Sequence, residues 1–206
     1  MYKIEYVLFD FGGVLAEEGF REGLHAIARQ HGLEENRVSD TALKIIHETG
    51  YLTGRADENL FWKTFRKETG IPESNERLRG EILSRFILRE WMFDLIADLR
   101  SRGLKTGILS DQTNWLDELN DQQNIFSHFD YIFNSYHMGK SKADPSHFDD
   151  IIDRLTTKGN RIIFVDDSSG NCERAGTRKI HAILYRERYA FIKELGRYYP
   201  LFAPNP

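Results

Sequence analysis

The sequence predicts an α/β fold in which helices surround a parallel sheet. Three observations lead to this prediction: short continuous apolar runs recur along the chain, segments with helical periodicity separate them, and polar residues follow each run directly. Continuous apolar runs are typical of strands buried on both faces, as in parallel sheets. Because ligands of open α/β sheets bind at the carboxyl ends of the strands, we expect any chemistry to collect there.

The first predicted strand ends at a carboxylate. Asp10 closes the apolar run 7–9 and is followed by a turn that contains Gly12 and Gly13. A buried carboxylate costs free energy unless it is paired. Asp10 is therefore the first candidate catalytic group. A turn-forming aspartate beside two glycines is the alternative for this segment taken alone.

Three further predicted strands, 105–109, 131–133 and 161–165, also lead into polar residues. In chain order these residues are a hydroxyl with a carboxylate, two ammonium groups and a carboxylate pair: Ser110, Asp111, Lys140, Lys142, Asp166 and Asp167. Each has a structural alternative by itself, such as a helix cap, a helix-initiating pair or a solvated amine. If the sheet is parallel, all of these groups lie at one edge, and we expect them to converge.

The residue types suit a phosphoryl group and its metal ion. Phosphoryl oxygens bind hydroxyl, amide and ammonium donors, whereas Mg²⁺ prefers carboxylate and carbonyl oxygens. Ser110 and Lys142 would supply the donors. The metal would take oxygens from Asp10, Asp166 and Asp167.

On these motifs the chain resembles the haloacid dehalogenase superfamily, whose members are mostly magnesium-dependent phosphohydrolases. The resemblance extends over essentially the whole chain and rests on four ordered motifs: Asp10-Phe11-Gly12-Gly13-Val14; Ser110; Lys142 between Gly139 and Pro145; and Val165-Asp166-Asp167-Ser168-Ser169-Gly170-Asn171. It implies a Rossmann-like doubly wound parallel sheet with an inserted helical cap. The Asp-x-Gly-x-Val form resembles a branch near sugar-phosphate phosphatases and the amino-terminal phosphatase domain of epoxide hydrolases.

The resemblance also implies a function and roles for individual residues. The implied activity is Mg²⁺-dependent hydrolysis of a small phosphorylated metabolite through an aspartyl-phosphate. Asp10 would be the nucleophile and would also bind the metal. The further metal ligands would be the Gly12 carbonyl, Asp166 and Asp167. The phosphoryl group would be bound by Ser110, Asp111 and Lys142.

Three positions depart from the family pattern. Gly12 replaces the aspartate that serves the family's phosphatases as general acid and base, which predicts a preference for activated leaving groups. Asp111 stands where relatives often carry asparagine, and Ala143 replaces the proline that usually follows the motif lysine. Glu17 and Glu18 lie closer in sequence to the missing acid, but we expect them to form the surface of a hinge.

Two other functions stay open. A phosphometabolite-binding protein with little turnover would explain Gly12 and Asp111. Halide displacement at carbon by Asp10, as in a haloacid dehalogenase, needs no metal and leaves the pair Asp166 and Asp167 without a use, so it ranks last.

The segment between the first two motifs is helical in pattern. It predicts a helical cap over residues 16–89, inserted into a core formed by residues 1–15 and 90–206. Phe61 and Phe65 are one helical turn apart, which predicts that both lie in the hydrophobic core. Three other side chains are candidates to face the active site, although a structural role is more typical of each: His25, His47 and Trp62.

Composition narrows the range of partners. The 206 residues carry a formal net charge of -4, which provides no basic field for nonspecific nucleic-acid binding. The first apolar stretch is interrupted by Asp10 and is too short to span a membrane, so we expect a cytoplasmic protein. We make no prediction about the oligomeric state. The aromatic, proline-rich segment 198–204 is expected to dock on the core or on a partner subunit.

Overall fold

The computed structural model describes residues 3–199, and these contain a parallel sheet of five strands. The strands are β1 (Tyr6–Phe9), β2 (Lys105–Ser110), β3 (Tyr131–Asn134), β4 (Ile162–Asp166) and β5 (His181–Leu184). Their order in the sheet is β3-β2-β1-β4-β5, and every neighbouring pair is parallel. The predicted α/β fold is confirmed. The fifth strand, β5, lies at the sheet edge and is only partly buried, so its apolar pattern is weaker than that of the other four.

The strand order brings the ends of β1, β2 and β4 together. The chain winds outward from β1 in one direction through β2 and β3, and in the other through β4 and β5, which makes the sheet doubly wound. In the register of the sheet, Phe9 lies beside Ile108 of β2 and Val165 of β4. Asp10 therefore follows β1 at the topological switch point, level with the last residues of both neighbouring strands.

Four α-helices lie between β1 and residue 89, as the sequence predicts. They are α1 (Gly19–Gln30), α2 (Glu35–Glu48), α3 (Glu58–Thr69) and α4 (Asn75–Leu83). Helix α1 packs against α2 and α4, and α2 packs against α3. A carboxylate or hydroxyl side chain caps the amino terminus of each: Glu18, Glu34, Asp57 and Ser74. We call α1–α4 the helical insertion.

The two connections between the sheet and the helical insertion lie side by side. Ala16 forms an antiparallel bridge with Leu88, and Arg89 donates its backbone N–H to the carbonyl of Leu15 over 2.9 Å. The chain thus leaves and re-enters the sheet region at one place. This place coincides with the ends of the predicted cap, residues 16 and 89, although the division into two domains stays a prediction.

The remaining helices flank the sheet. They are α5 (Glu90–Ser101), α6 (Trp115–Gln123), α7 (Ser135–Met138), α8 (Ser146–Arg154), α9 (Ser169–Thr177) and α10 (Arg188–Tyr198). Within residues 3–199, no helix is long and apolar enough to cross a membrane. Tyr198 and Tyr199 pack against the hydrophobic core, whereas residues 200–204 of the segment expected to dock lie outside the described residues.

An aromatic cluster joins the helical insertion to α6. Phe61, Trp62 and Phe65 of α3 are fully buried, and the Trp62 ring stacks on that of Trp115 with 5.7 Å between centroids. Tyr51 contacts the same cluster, edge to face with Trp115. The expected core role of Phe61 and Phe65 is confirmed, and Trp62 has this role too. Trp62 does not line the cavity at the carboxyl ends of the strands.

Candidate active site

The carboxylate of Asp10 receives donors from its own turn and from two other strand ends. Its Oδ1 accepts hydrogen bonds from the backbone N–H of Phe11 and from the Ser110 hydroxyl, both at 2.7 Å. Its Oδ2 lies 2.8 Å from the ammonium nitrogen of Lys142. The parallel register explains the approach of Ser110, because it ends β2, the neighbour of β1. Lys142 arrives from the loop that follows β3 and α7.

Lys142 is a buried cation between two carboxylates. Only 1% of its surface is exposed, and its Nζ lies 2.7 Å from Asp166 Oδ2 in addition to its contact with Asp10. Lys140, the other lysine of the segment, instead pairs with Asp150, 2.6 Å away on the surface. The structure therefore brings to the strand ends the lysine that the motif alignment favours.

Two side chains hold the backbone of Lys142. The carboxylate of Asp111 accepts the Lys142 N–H, with distances of 2.9 Å to Oδ1 and 3.1 Å to Oδ2. On the other side, Arg174 Nε donates to the Lys142 carbonyl over 2.7 Å. Burial raises the pKa of Asp111, against the pull of Lys142. Its carboxylate thus positions the loop of Lys142, and the phosphoryl contact expected of Asp111 stays a prediction.

The two aspartates after β4 differ in their surroundings. Asp166 is fully buried and accepts hydrogen bonds from the Ser168 N–H at 2.8 Å and from Asn171 Nδ2 at 3.1 Å to each oxygen. Asp167 lies beside the turn after β1. A Cβ at Gly13 would lie 2.2 Å from Asp167 Oδ2, and Gly13 has φ of 79°. Both the space and the backbone angle therefore require glycine at position 13.

The carboxylates that follow β1 and β4 form a cluster of oxygen atoms. Ligand oxygens of Asp10, Asp166 and Asp167 all lie within 4.8 Å of one another. Hard carboxylate oxygens are the ligands that Mg²⁺ prefers, so these residues fit such an ion. Gly12, whose carbonyl is the fourth predicted ligand, lines the same cavity as Asp10 and Asp167.

The electrostatics of the cluster also favour a bound cation. Burial raises the pKa of Asp10, and the nearby charge of Asp166 adds to this, against the opposing effects of Lys142 and the Ser110 hydroxyl. Burial and Asp166 likewise raise the pKa of Asp167. Burial alone would lower the pKa of Lys142, but the surrounding carboxylates hold it above its ordinary value. The carboxylates thus resist ionising together, and a bound divalent cation would favour their ionised forms.

A cavity of about 240 Å³ opens above the strand ends. Its size suits a small ligand, since pockets for drug-sized molecules range over roughly 300–1,000 Å³. The strand-end wall, as we call the side formed by strand ends, the loops after them and the first residue of α6, comprises Asp10, Gly12, Ser110, Asp111, Gln112, Thr113, Trp115 and Asp167. The insertion wall, formed by the helical insertion and its leading residue, comprises Glu18, Phe20, Arg21, Leu43, Ile46, His47 and Leu52.

The insertion wall contains residues that sequence reasoning missed or misjudged. His47 lines the cavity, whereas His25 does not and lies 3.4 Å from Glu35 through its Nδ1. Glu17 is exposed and pairs with Arg89, as expected of hinge surface. Glu18, expected to be surface as well, instead forms part of the cavity wall, and burial raises its pKa. The signal in the sequence was its position directly before a predicted helix, where a carboxylate can cap the helix and is held in one direction.

Comparisons with known proteins agree with this architecture. The family model for haloacid dehalogenase-like hydrolases matches residues 4–173. Bifunctional epoxide hydrolase 2 of Rattus norvegicus is 30% identical over 114 residues, which are 52% of this chain and 20% of that protein. The chain therefore spans about a fifth of the curated relatives that it matches.

Two solved structures share the fold. A HAD family enzyme from Bacteroides thetaiotaomicron, in complex with magnesium and inorganic phosphate, has a TM-score of 0.73 at 21% identity, covering 90% of this chain and 97% of that one. L-2-haloacid dehalogenase from Xanthobacter autotrophicus, with chloropropionic acid covalently bound, has a TM-score of 0.65 at 18% identity, covering 97% and 86%. With more than half of its length matched by the family model, this chain belongs to the haloacid dehalogenase-like hydrolases.

Proposed function

We propose that the chain is a magnesium-dependent phosphohydrolase that acts on a small phosphorylated metabolite through an aspartyl-phosphate at Asp10. The observation that carries this proposal is the convergence of a carboxylate, a hydroxyl and an ammonium at the ends of parallel strands. The Ser110 hydroxyl lies 2.7 Å from Asp10 Oδ1, and the Lys142 ammonium nitrogen lies 2.8 Å from Asp10 Oδ2. Phosphoryl transfer needs such positioned donors around the nucleophile.

The metal would be held by Asp10, the Gly12 carbonyl, Asp166 and Asp167. The closeness of their carboxylate oxygens and the resistance of these carboxylates to ionising together support this assignment. When bound, Mg²⁺ supplies positive charge that stabilises the phosphoryl oxygens during transfer. The solved relative from Bacteroides thetaiotaomicron, which holds magnesium and inorganic phosphate, provides independent support.

The chain's own residues have distinct tasks in this mechanism. The Asp10 carboxylate attacks phosphorus, and the bond from phosphorus to the leaving oxygen breaks. The Ser110 hydroxyl and the Lys142 ammonium donate hydrogen bonds to the phosphoryl oxygens, and Lys142 also favours the ionised form of Asp10. Water then attacks phosphorus, breaks its bond to Asp10 and restores the carboxylate.

The helical insertion contributes the opposite wall of the cavity and acts as a cap in this proposal. Its residues Phe20, Leu43, Ile46 and Leu52 are apolar and line the cavity. They would exclude water around the phosphoryl group and contact the rest of the metabolite.

Halide displacement is the competing reaction, given the likeness to L-2-haloacid dehalogenase. The carboxylate cluster argues against it. Displacement at carbon by Asp10 has no use for Asp166 and Asp167 as metal ligands. Their charge would also repel the carboxylate of a haloacid. A binding protein with little turnover is the other alternative, and it differs only in lacking sustained release of product.

A phosphate-release screen with and without Mg²⁺ tests the proposal. The substrates are alkyl, aryl and acyl phosphates, and 2-haloacids serve as the competing class. The expected result is sustained phosphate release that requires Mg²⁺ and is abolished by a chelator. Metal-independent halide release would establish the dehalogenase instead, and binding of phosphorylated compounds without multiple turnover would establish the binding protein.

A further inference from the structure

Position 12 has room for a Cβ atom. A Cβ built on Gly12 would meet Glu18 Oε2 at 3.4 Å, Phe86 Cε1 at 3.4 Å and Gln112 Nε2 at 3.7 Å. Gly12 is also absent from the glycines with positive φ, so other residues can adopt its backbone conformation. Neither backbone strain nor a clash at Cβ therefore requires glycine at position 12.

The carboxylate of Glu18 already occupies the space beside Gly12. Its Oε2 lies 3.4 Å from the place where a side chain at position 12 would begin. Its Oε1 accepts a hydrogen bond from the backbone N–H of Arg21 over 3.2 Å, in the amino-terminal cap of α1. This cap fixes the direction of the carboxylate and aims the second oxygen toward position 12.

The neighbouring residues distinguish Glu18 from Glu17. Glu18 lines the cavity that contains Asp10 and Asp167, whereas Glu17 binds Arg89 through both carboxylate oxygens, at 3.0 and 2.9 Å. The Phe86 ring, which a Cβ at Gly12 would meet at 3.4 Å, is 3% exposed and bounds the space beside position 12 with apolar atoms. One of the two adjacent glutamates is thus turned into the site and the other away from it.

We infer that Glu18 is the general acid and base of this site and takes the role of the carboxylate missing from position 12. This inference rests on the proposed function. As the bond from phosphorus to the leaving oxygen breaks, the Glu18 carboxyl gives its proton to that oxygen and the alcohol departs. The resulting carboxylate then accepts a proton from the water that attacks the aspartyl-phosphate. This second step restores both Asp10 and protonated Glu18.

The test compares Glu18→Gln with Glu17→Gln across phosphate monoesters of increasing leaving-group pKa, from aryl to alkyl. Glutamine keeps the acceptor for the Arg21 N–H but has no proton to transfer. Loss of a general acid slows hydrolysis by about a hundred- to ten-thousand-fold, and this loss should fall mainly on alkyl phosphates. Glu18→Gln should therefore steepen the dependence of kcat/KM on leaving-group pKa. Glu17→Gln should leave it unchanged.

A rescue experiment separates chemistry from damage to the fold. Glu18→Ser vacates the space beside position 12 while a serine hydroxyl can still cap α1. Adding Gly12→Asp to this variant places a carboxyl in that space from the other side, and alkyl-phosphate hydrolysis should recover. Circular dichroism and thermal unfolding report on folding in each variant. A double variant as slow as Glu18→Ser alone on alkyl phosphates would count against an acid beside position 12.

The outcomes also separate this inference from the proposed function. If the wild-type protein releases phosphate with Mg²⁺ but folded Glu18→Gln has the same leaving-group dependence, the role of Glu18 is overturned while the phosphohydrolase stands. If the wild-type protein releases no phosphate from any ester, the proposed function itself has failed.

Discussion

The two walls of the cavity differ in the interactions that hold their side chains in place. In the strand-end wall and directly beneath it, charged groups are buried and bound to one another: Lys142 is 1% exposed and contacts both Asp10 and Asp166. The insertion wall is mostly apolar and partly exposed, as at Leu43, where 38% of the surface is accessible. Its polar side chains include Glu18.

Apart from Glu18, this difference separates the residues that carry the chemistry from those that would select the substrate. Hydrogen bonds and ion pairs hold the strand-end groups in place, which is what phosphoryl transfer requires of its nucleophile and donors. The insertion wall presents apolar side chains that can contact the rest of a substrate, at Phe20, Leu43, Ile46 and Leu52. We therefore expect substitutions in the strand-end wall to affect stability and turnover. Substitutions in the insertion wall, other than at Glu18, should affect substrate choice.

Removing the buried ammonium should have the largest effect on stability. Lys142→Met leaves Asp10 and Asp166 facing each other without a cation between them, and breaking a buried ion pair in this way typically costs about 3–5 kcal/mol. Mg²⁺ should stabilise the variant more than the wild-type protein, because it replaces part of the lost positive charge. Urea unfolding with and without Mg²⁺ measures both effects.

Lys140→Met is the matched control for this experiment. Lys140 binds Asp150 on the surface, so its removal should change the free energy of unfolding little. Equal stability of the Lys142 and Lys140 variants, with the same response to Mg²⁺, would contradict the idea that the strand-end wall depends on a buried cation.

A smaller effect is expected from the insertion wall. Leu43→Ala removes apolar surface from the cavity, and because Leu43 is partly exposed the loss of stability should be about 1 kcal/mol or less. KM should rise for phosphates with larger apolar groups, with little change in kcat for the smallest substrates. Leu60→Ala is the control, since Leu60 is 45% exposed on α3 and outside the cavity wall. Equal kinetics in both variants would remove Leu43 from substrate binding.

The sequence predicts the strand-end wall well because its geometry is local. A polar residue that directly follows a buried strand is brought to the sheet edge by the strand itself, and a parallel register then aligns Asp10, Ser110 and Asp166. Lys142 is harder to predict, because it lies several residues after β3 and Lys140 is an equally plausible candidate from the sequence pattern alone. The motif alignment resolved that choice.

The insertion wall is less predictable because the direction of a helical side chain depends on how the helices pack. Trp62 and His47 both lie on helices, yet Trp62 is buried against Trp115 while His47 lines the cavity. Glu17 and Glu18 are adjacent, and only the cap of α1 turns the second one inward. No periodicity in the sequence distinguishes these cases.

The most direct test of the account is to look for a phosphoryl group on Asp10. Wild-type protein, quenched in acid during turnover with Mg²⁺ and its best substrate, should yield a peptide that carries one phosphoryl group at Asp10 by mass spectrometry. Asp10→Asn should yield none, keep its circular dichroism spectrum and lose at least about a thousandfold in turnover. Unmodified Asp10 throughout sustained phosphate release, with turnover preserved in Asp10→Asn, would contradict the central claim.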